Sequence, residues 1–301
     1  MRVMISAAAS PAAVSIVRHV RSLGHVVVGI DASEAAEPLG QRFCNEFHVA
    51  PPAAAAGYID FLCERLAAVD IFLPFIDEEL LAIAAAWDRL PQALRDRIAI
   101  SEPAVVLDCV DKCRFQRACV ESGLPVAPEA DTAPAFFKPR YGRGGKGVIE
   151  ARDARMFDAL RGRDGVLQRA IDGEEFTVDA VFDRSGALIA TSPRRRLRAA
   201  GVSTIGMVSP DDSLHELAAQ LGRRWQFRYA INFQVIRDAA GVDWIIEINP
   251  RLAGSAIFSA LAGCDPFAAT IALWQGKAWS GAARELRVWR YWQEQTDGDS
   301  P

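Results

Sequence analysis

Short apolar segments alternate with helical segments along the first hundred residues, and this order limits the folds available to the chain. Segments 3–6, 26–30 and 71–75 have the length and composition of buried strands, whereas segments 11–23 and 77–87 have helical spacing. Strands that alternate with helices predict a parallel sheet wound like a Rossmann fold. Ala7–Ser10 follows the first strand where dinucleotide-binding proteins carry glycines, so no dinucleotide site is expected there.

The pattern changes after about residue 101. Short helices are predicted around residues 111–123, antiparallel strands follow, and further helices are predicted over 211–225 and 263–275. We therefore expect an α/β domain at residues 1–100 and a second, α+β domain at residues 101–301. The polar segment from Gly281 onward is expected to be peripheral.

The segment Trp244–Arg251 is an apolar strand with polar side chains at alternate positions. Because side chains alternate along a strand, Glu247, Asn249 and Arg251 are expected on one face. Carboxylate and amide oxygens suit Mg²⁺, which proteins usually hold through one or two carboxylates plus substrate phosphates. A neighbouring arginine suits a carboxylate or phosphoryl group. The alternative is an ordinary strand that ends in a surface ion pair.

The segment Phe136–Val148 is a strand followed by a glycine-rich loop. The loop contains Gly142, Gly144, Gly145 and Gly147. Glycines permit positive φ angles, and successive free N–H groups form a concave anion site. Lys138, on the strand, supplies a positive charge for a phosphate. Neither the P-loop pattern nor the dinucleotide fingerprint is present. The alternative is a flexible basic hairpin loop.

Three further groups of charged residues lie near predicted strand ends or on strands. Segment 167–181 predicts a strand, a turn at Asp172–Gly173 and a second strand that carries Glu175; an ordinary half-buried hairpin is the alternative. Arg194, Arg196 and Arg198 share one face of another strand, unless that face is merely solvated. The run Asp77-Glu78-Glu79 opens a helix at the carboxyl end of a strand, where it either binds a substrate amine or caps the helix.

Composition agrees with a soluble enzyme. The 301 residues carry a net charge of −4 without a long basic tract, so no nucleic-acid partner is expected. No apolar run reaches the ~18 residues of a membrane span, and the start of the chain lacks a signal-peptide pattern. The six cysteines lack zinc-site spacing and are expected to be free thiols. We expect a cytoplasmic protein without a membrane partner, and the sequence leaves open whether it forms a homodimer.

The glycine loop with Lys138, the segment 167–181 and the segment 244–251, in this order, resemble the ATP-grasp superfamily. The motifs are most similar to the carbamoyl-phosphate synthetase large-subunit branch and its small relatives that act as carboxylate–amine ligases. The resemblance covers about residues 101–277. It implies a preATP-grasp domain at residues 1–100, then a two-lobed ATP-grasp domain at 101–301 with a small lid lobe over about 130–170.

The resemblance also implies roles for individual residues. Lys112 and Lys138 would bind nucleotide phosphates, and the loop with Gly142, Gly144, Gly145 and Gly147 would cover them. The hinge whose backbone contacts adenine would consist of Gln168, Arg169 and Ala170. Glu175 would bind ribose. Gln234, Glu247 and Asn249 would hold the metal. Arg251 would hold the acyl phosphate or the acceptor, Arg194, Arg196 and Glu78 would contact substrate, and Lys138, Arg196 and Arg251 would be catalytic. Gln234 stands where many members have a carboxylate, and Gln168 where many have an acid.

The chain is therefore predicted to be an ATP-dependent carboxylate–amine ligase. It would form an amide bond between small, amino-acid-like substrates through an acyl phosphate, with ATP and Mg²⁺, or Mn²⁺ in its place, as cofactors. One alternative is a non-catalytic ATP-binding or sensing protein, against which the intact set of Lys138, Glu247, Asn249 and Arg251 argues. The other is a biotin-carboxylase-like component, for which the chain is short. The sequence does not identify the acid or the amine.

Overall fold

The computed structural model describes residues 1–10, 12–142, 144–200, 202–291, 293–294 and 296, with the side chains of 198–200 and 202 excepted. Arg143 of the predicted loop and the side chain of Arg198 therefore lie outside the described residues. In the described ranges the strands are β1 Arg2–Ser6, β2 Val26–Asp31, β3 Glu46–Val49, β4 Ile71–Leu73, β5 Ala135–Pro139, β6 Ile149–Ala151, β7 Gly165–Arg169, β8 Glu174–Phe182, β9 Leu188–Ala200, β10 Val202–Val208, β11 Tyr229–Arg237, β12 Asp243–Asn249 and β13 Leu286–Trp289.

The helices in the same ranges are α1 Ala13–Ser22, α2 Glu37–Phe43, α3 Tyr58–Leu66, α4 Asp77–Ala86, α5 Gln92–Arg95, α6 Pro103–Val110, α7 Lys112–Glu121, α8 Ala154–Leu160, α9 Asp212–Trp225, α10 Ile257–Leu261 and α11 Pro266–Trp274. Single 3₁₀ turns lie at Glu34–Ala36 and Trp87–Arg89. Of the helices described, none has the length and apolarity needed to cross a membrane.

The amino-terminal strands form a parallel sheet in the order β3-β2-β1-β4. The strand β1 is buried on both faces, with Val3 and Ile5 in one apolar cluster and Met4 in another. Helices therefore cover both faces, as the continuous apolar runs of these strands require. The predicted Rossmann-like wind is observed, and the division of the chain at residue 100 stays a prediction.

The remaining strands form a six-stranded sheet in the order β12-β11-β8-β9-β10-β13 and a three-stranded sheet in the order β6-β5-β7. Helices α7 and α9 pack on the large sheet, and Leu217 of α9 shares an apolar cluster with Val178 and Phe233 of the sheet. The small sheet has its own core around Phe137 and Phe157. These two antiparallel sheets face each other across the pocket described below.

One expectation and one alternative about this region are wrong. Segment 167–181 has the predicted strand, turn and strand, but it is not the hairpin of the alternative interpretation, because β7 belongs to the small sheet and β8 to the large one. The turn between them needs Gly173, since a Cβ atom there would lie 2.1 Å from the carbonyl oxygen of Arg237. The segment after Gly281 is not merely peripheral, because β13 pairs with β10 and extends the large sheet.

The amino-terminal parallel sheet and its helices pack directly on the large sheet. One apolar core combines Ile5 and Ile16 of this amino-terminal part with Tyr229, Leu252 and Phe267 of the later part of the chain. The two parts of the chain therefore share a buried interface, and a cleft opens along its edge.

Candidate active site

The cleft between the first domain and the large sheet has a volume of about 370 Å³. Its polar wall includes Arg196, Gln234, Glu247, Asn249 and Arg251, and Gly144 of the glycine loop lies at its edge. The structure thus brings the three separate sequence segments to one place.

The strand β12 and its continuation supply three of these side chains. The amide nitrogen of Asn249 donates to Glu247 Oε1 at 2.8 Å, and Arg251 Nη2 donates to Asn249 Oδ1 at 3.2 Å. Gln234 stands opposite Glu247 in the pairing of β11 with β12. Alternation along the strand accounts for the shared face, as predicted.

The chemistry of this set fits Mg²⁺ better than a transition metal. It offers one carboxylate and two amides, and among the described residues no group of three or more His, Cys, Asp and Glu side chains could hold a metal ion. Hard cations such as Mg²⁺ accept oxygen donors and complete their shell with phosphates and water. The Asn249 amide presents its nitrogen to Glu247. Ligation by its oxygen requires the amide to turn over and to release that hydrogen bond.

Arg251 is held from the opposite side of the cleft. Its Nε donates to Asp77 Oδ1 at 2.5 Å, and the two side chains are only 10% and 9% exposed. Asp77 begins α4 but caps it with no side-chain hydrogen bond. The capping interpretation of this acidic run therefore does not describe Asp77, whose partner is an arginine on the other domain.

The other two acids of the run differ from Asp77. Burial raises the pKa of Glu79 to about 7, and the carboxyl group lies beside Ser6 behind the cleft. Glu78 is exposed and is not among the described residues that line the cleft. Its predicted substrate contact stays a prediction.

Two lysines line a narrow pocket between the small and the large sheet. Lys138 Nζ donates to the carbonyl oxygen of Ile246 at 2.9 Å, and Lys112 Nζ donates to that of Gly142 at 2.6 Å. Burial lowers the pKa of Lys138 to about 8, an effect that Glu247 opposes and Lys112 increases. This pocket shares Glu247 and Asn249 with the cleft, so the two spaces adjoin each other.

The glycine loop joins β5 to β6. Its described glycines, Gly142, Gly144, Gly145 and Gly147, have φ values of 133°, 62°, 76° and 78°. These values lie where residues with a Cβ atom are rare. At the base of the loop, Arg140 donates to Asp111 Oδ2 at 2.8 Å. The loop is thus anchored at its start and exposed beyond residue 143.

The predicted adenine hinge is partly occupied. The N–H groups of Arg169 and Ala170 donate to the carbonyl oxygens of Pro128 and Pro134 at 2.9 and 3.2 Å. The Gln168 amide nitrogen donates to Gln116 Oε1 at 2.8 Å. The backbone N–H groups of Arg169 and Ala170 are therefore not free to bind a base. Backbone recognition by these two residues is restricted to their carbonyl oxygens. Any N–H donor to adenine must come from a neighbouring residue.

The arginines of β9 have different surroundings. Arg196 lines the cleft and forms an ion pair with Glu175, the predicted ribose-binding acid. Arg194 is 1% exposed, forms an ion pair with Asp179 and donates to Ser259 Oγ at 2.6 Å. This internal network contradicts the predicted substrate contact of Arg194, whose role is to join the large sheet to α10.

Comparisons with known proteins give one family match. A family model described as "ATP-grasp in the biosynthetic pathway with Ter operon" matches residues 162–295. No curated protein sequence matches the chain.

Several solved structures are similar to this fold. The biotin carboxylase of Campylobacter jejuni has a TM-score of 0.71 at 17% identity, over 92% of this chain and 71% of that one. The N5-carboxyaminoimidazole ribonucleotide synthetase of Thermotoga maritima has a TM-score of 0.68 at 14% identity, over 92% of this chain and 76% of that one. The L-amino acid ligase of Bacillus licheniformis has a TM-score of 0.64 at 15% identity, over 86% of this chain and 69% of that one. At these identities the likeness shows the fold, and the predicted fold class is confirmed.

Proposed function

We propose that this chain is a member of the ATP-grasp superfamily and an ATP-dependent ligase that joins a carboxylic acid to an amine through an acyl phosphate. The observation that carries the proposal is the meeting of Glu247, Asn249 and Arg251 in a cleft that adjoins the two-lysine pocket. Phosphoryl transfer needs charge neutralisation and positioning more than a protein nucleophile, and this set supplies both.

The proposed reaction has two steps. A carboxylate oxygen of the acid attacks the γ-phosphorus of ATP, the bond to the β–γ bridging oxygen breaks, and ADP leaves with the electron pair. The amine nitrogen then attacks the acyl carbon, the bond from that carbon to the phosphate oxygen breaks, and the nitrogen loses a proton. The products are an amide, ADP and phosphate.

Each part of the site has a role in these steps. Lys112, Lys138 and the glycine loop would bind the phosphates, and Arg251 would hold the acid and then the acyl phosphate. Mg²⁺ held by Gln234, Glu247 and Asn249 would neutralise charge on the β- and γ-phosphates. The loop would exclude water, because hydrolysis of the acyl phosphate competes with amide formation.

A second candidate follows from the fold similarity to biotin carboxylase. In that case bicarbonate would be the acid, and the activated product would be a carboxyl phosphate. The cleft volume of about 370 Å³ is more than so small an acid occupies, which favours a larger substrate.

Trapping with hydroxylamine tests the proposal without knowledge of the amine. Hydroxylamine captures an acyl phosphate as a hydroxamate, so a panel of carboxylic acids with ATP and Mg²⁺ is expected to give ADP and hydroxamate in equal amounts for the true substrate class. ADP formation with bicarbonate alone would select the second candidate. An absence of acid-dependent ADP formation across the panel would contradict both.

The glycine loop should become protected when nucleotide binds. Lys146 is exposed in the loop, and four glycines make the free loop costly in entropy to fix. Trypsin should cleave after Lys146 rapidly in the free protein and slowly with an unhydrolysable ATP analogue and Mg²⁺. The variant Lys146→Gln identifies the cleavage site by removing it. Equal rates with and without nucleotide would show that this loop is not the phosphate lid.

Nucleotide binding should take up a proton near pH 8. The pKa of Lys138 is about 8 in the free protein, and triphosphate favours the charged ammonium, so binding raises that pKa. Affinity for ATP is expected to fall as the pH rises above about 8. The free energy of unfolding is expected to rise over the same range, because Lys138 in the unfolded chain, with a pKa of about 10.4, binds more protons than Lys138 in the folded protein. Calorimetry in two buffers of different ionisation enthalpy measures the uptake.

The matched variants for this measurement are Lys138→Met and Lys277→Met. The first should abolish the proton uptake, and the second should leave it unchanged because Lys277 is exposed and lines neither the cleft nor the lysine pocket. An uptake that persists in Lys138→Met would assign it to another group.

A further inference from the structure

The cleft has two unlike walls. The wall from the large sheet is polar, as described above. The wall from the first domain is formed by the end of β1, the first turns of α1 and the segment after β4, and its main side chains are Ile5, Ala12, Ala13, Ile16, Phe75 and Ile76. Ser6 and Ser10 also lie on it, and the Ser6 hydroxyl already accepts a hydrogen bond from the Phe75 N–H at 2.9 Å. A ligand in the cleft therefore meets polar groups on one side and a mainly apolar surface on the other.

Arg251 marks the polar end of this space. A guanidinium has five N–H donors. Its Nε is held by Asp77, Nη2 donates to Asn249, and Nη1 donates to the carbonyl oxygen of Leu252 at 3.3 Å. One N–H on each terminal nitrogen is left, which matches the two oxygens of a carboxylate. Because Asp77 belongs to the first domain, it fixes the direction of this fork relative to the apolar wall.

We propose that the acid substrate has an uncharged, apolar body beyond its α-carbon: its carboxylate meets Arg251, and its body lies on the first turns of α1. This inference rests on the proposed function and names the substrate class. Small-molecule sites are mainly apolar with a few placed polar groups, and the cleft has this composition. Among the described lining residues, the cations are Arg196 and Arg251, both on the polar wall. A second carboxylate at the far end of the substrate would meet no side chain of opposite charge among the described residues of the apolar wall.

The helix α1 sets how long the body can be. Ala13 and Ile16 are one turn apart and face the same side, and both line the cleft. Ala13 is buried and has the shorter side chain, so its Cβ leaves room that a larger residue would fill. Ser15 points the other way and lines a separate groove. It offers a control on the same helix.

Direct binding tests the proposal without turnover. Calorimetry would compare the straight-chain acids from propanoate to octanoate, with the full-length protein, Mg²⁺ and an unhydrolysable ATP analogue. Each added methylene is expected to tighten binding about fourfold until the wall is reached. Hexanedioate is expected to bind at least about tenfold more weakly than hexanoate. Affinity independent of chain length, or tightest binding by a dicarboxylate, would overturn the proposal.

Two comparison acids show whether the substrate is an amino acid or an acid without an ammonium group. Leucine and isocaproate share one skeleton and differ in the ammonium group. Binding of either one more tightly than succinate supports the shared apolar body, and the tighter of the two shows whether the substrate is an amino acid. Tighter binding of succinate than of both would contradict the proposal.

Variants of α1 locate the body. Ala13→Leu should move the best substrate to a shorter acid, and Ser15→Leu should leave the series unchanged. Ala12→Leu, also on the wall, serves if Ala13→Leu does not fold. An unchanged series in both wall variants would place the body elsewhere. If the acids bind in the expected order but none supports ADP formation, the proposed function fails and only the binding preference of the cleft stands. If dicarboxylates give the fastest ADP formation, the inference fails and the function stands.

Discussion

Replacement of Glu247 by glutamine is expected to lower acid-dependent ADP formation by about 100-fold or more while the protein stays folded. Glu247 is the single carboxylate in the proposed metal set, and its neighbours Gln234 and Asn249 contribute amides. Loss of that charge removes most of the attraction for Mg²⁺ at the β- and γ-phosphates. The change keeps the shape of the side chain, so packing is preserved. Steady-state ADP formation measures the effect.

The control for this variant is Glu174→Gln. Glu174 is an exposed acid on β8 that pairs with Arg195 at the surface, so its loss should leave the rate near that of the wild type. A higher Mg²⁺ concentration should restore part of the activity of Glu247→Gln. The activity of Glu174→Gln should not depend on added Mg²⁺ beyond the wild-type requirement. Near wild-type activity of Glu247→Gln at ordinary Mg²⁺ would remove Glu247 from the metal site.

Removal of the Arg251 guanidinium is expected to lower kcat by about 100-fold to 1,000-fold with little change in ATP affinity. In the proposed reaction its two remaining N–H donors would meet the acid and the developing acyl phosphate, not the adenosine. A single Arg251→Met variant would leave Asp77 buried without its partner, which costs roughly 3–5 kcal/mol of stability. The double variant Asp77→Asn/Arg251→Met avoids that buried charge.

The single variant Asp77→Asn is the matched control for the double one. It keeps the guanidinium and loses only the charge that orients it, so its kcat should lie between those of the wild type and the double variant. Equal losses of ATP affinity and of kcat in the double variant would place Arg251 on the nucleotide instead of on the acid.

The polar face of β12 could be predicted from the sequence because its cause is local. A period of two along the strand is enough to put Glu247 and Asn249 on the same side. In the structure Asn249 Nδ2 lies 2.8 Å from Glu247 Oε1. The glycine loop was predictable for the same reason, since four glycines within six residues favour positive φ whatever surrounds them.

Features that depend on distant parts of the chain were not predictable. Nothing near Arg194 in the sequence shows that Asp179 and Ser259 will enclose it, whereas Arg196, two residues on, lines the cleft. Asp77 and Arg251 are separated by 174 residues, so local helix capping was the simpler interpretation of an acid at a helix start. The turn at Asp172–Gly173 was compatible with a hairpin. Only the sheet topology shows that this turn connects a strand of the small sheet to a strand of the large sheet.

Isotope transfer from the acid to phosphate tests the central claim most directly. An acid labelled with ¹⁸O in its carboxylate, taken from the class that gives hydroxamate, would be incubated with ATP, Mg²⁺ and an amine. The proposed mechanism predicts that the released phosphate carries one ¹⁸O atom from the carboxylate, because that oxygen attacks the γ-phosphorus and stays with it. Unlabelled phosphate formed together with the amide would contradict an acyl-phosphate intermediate.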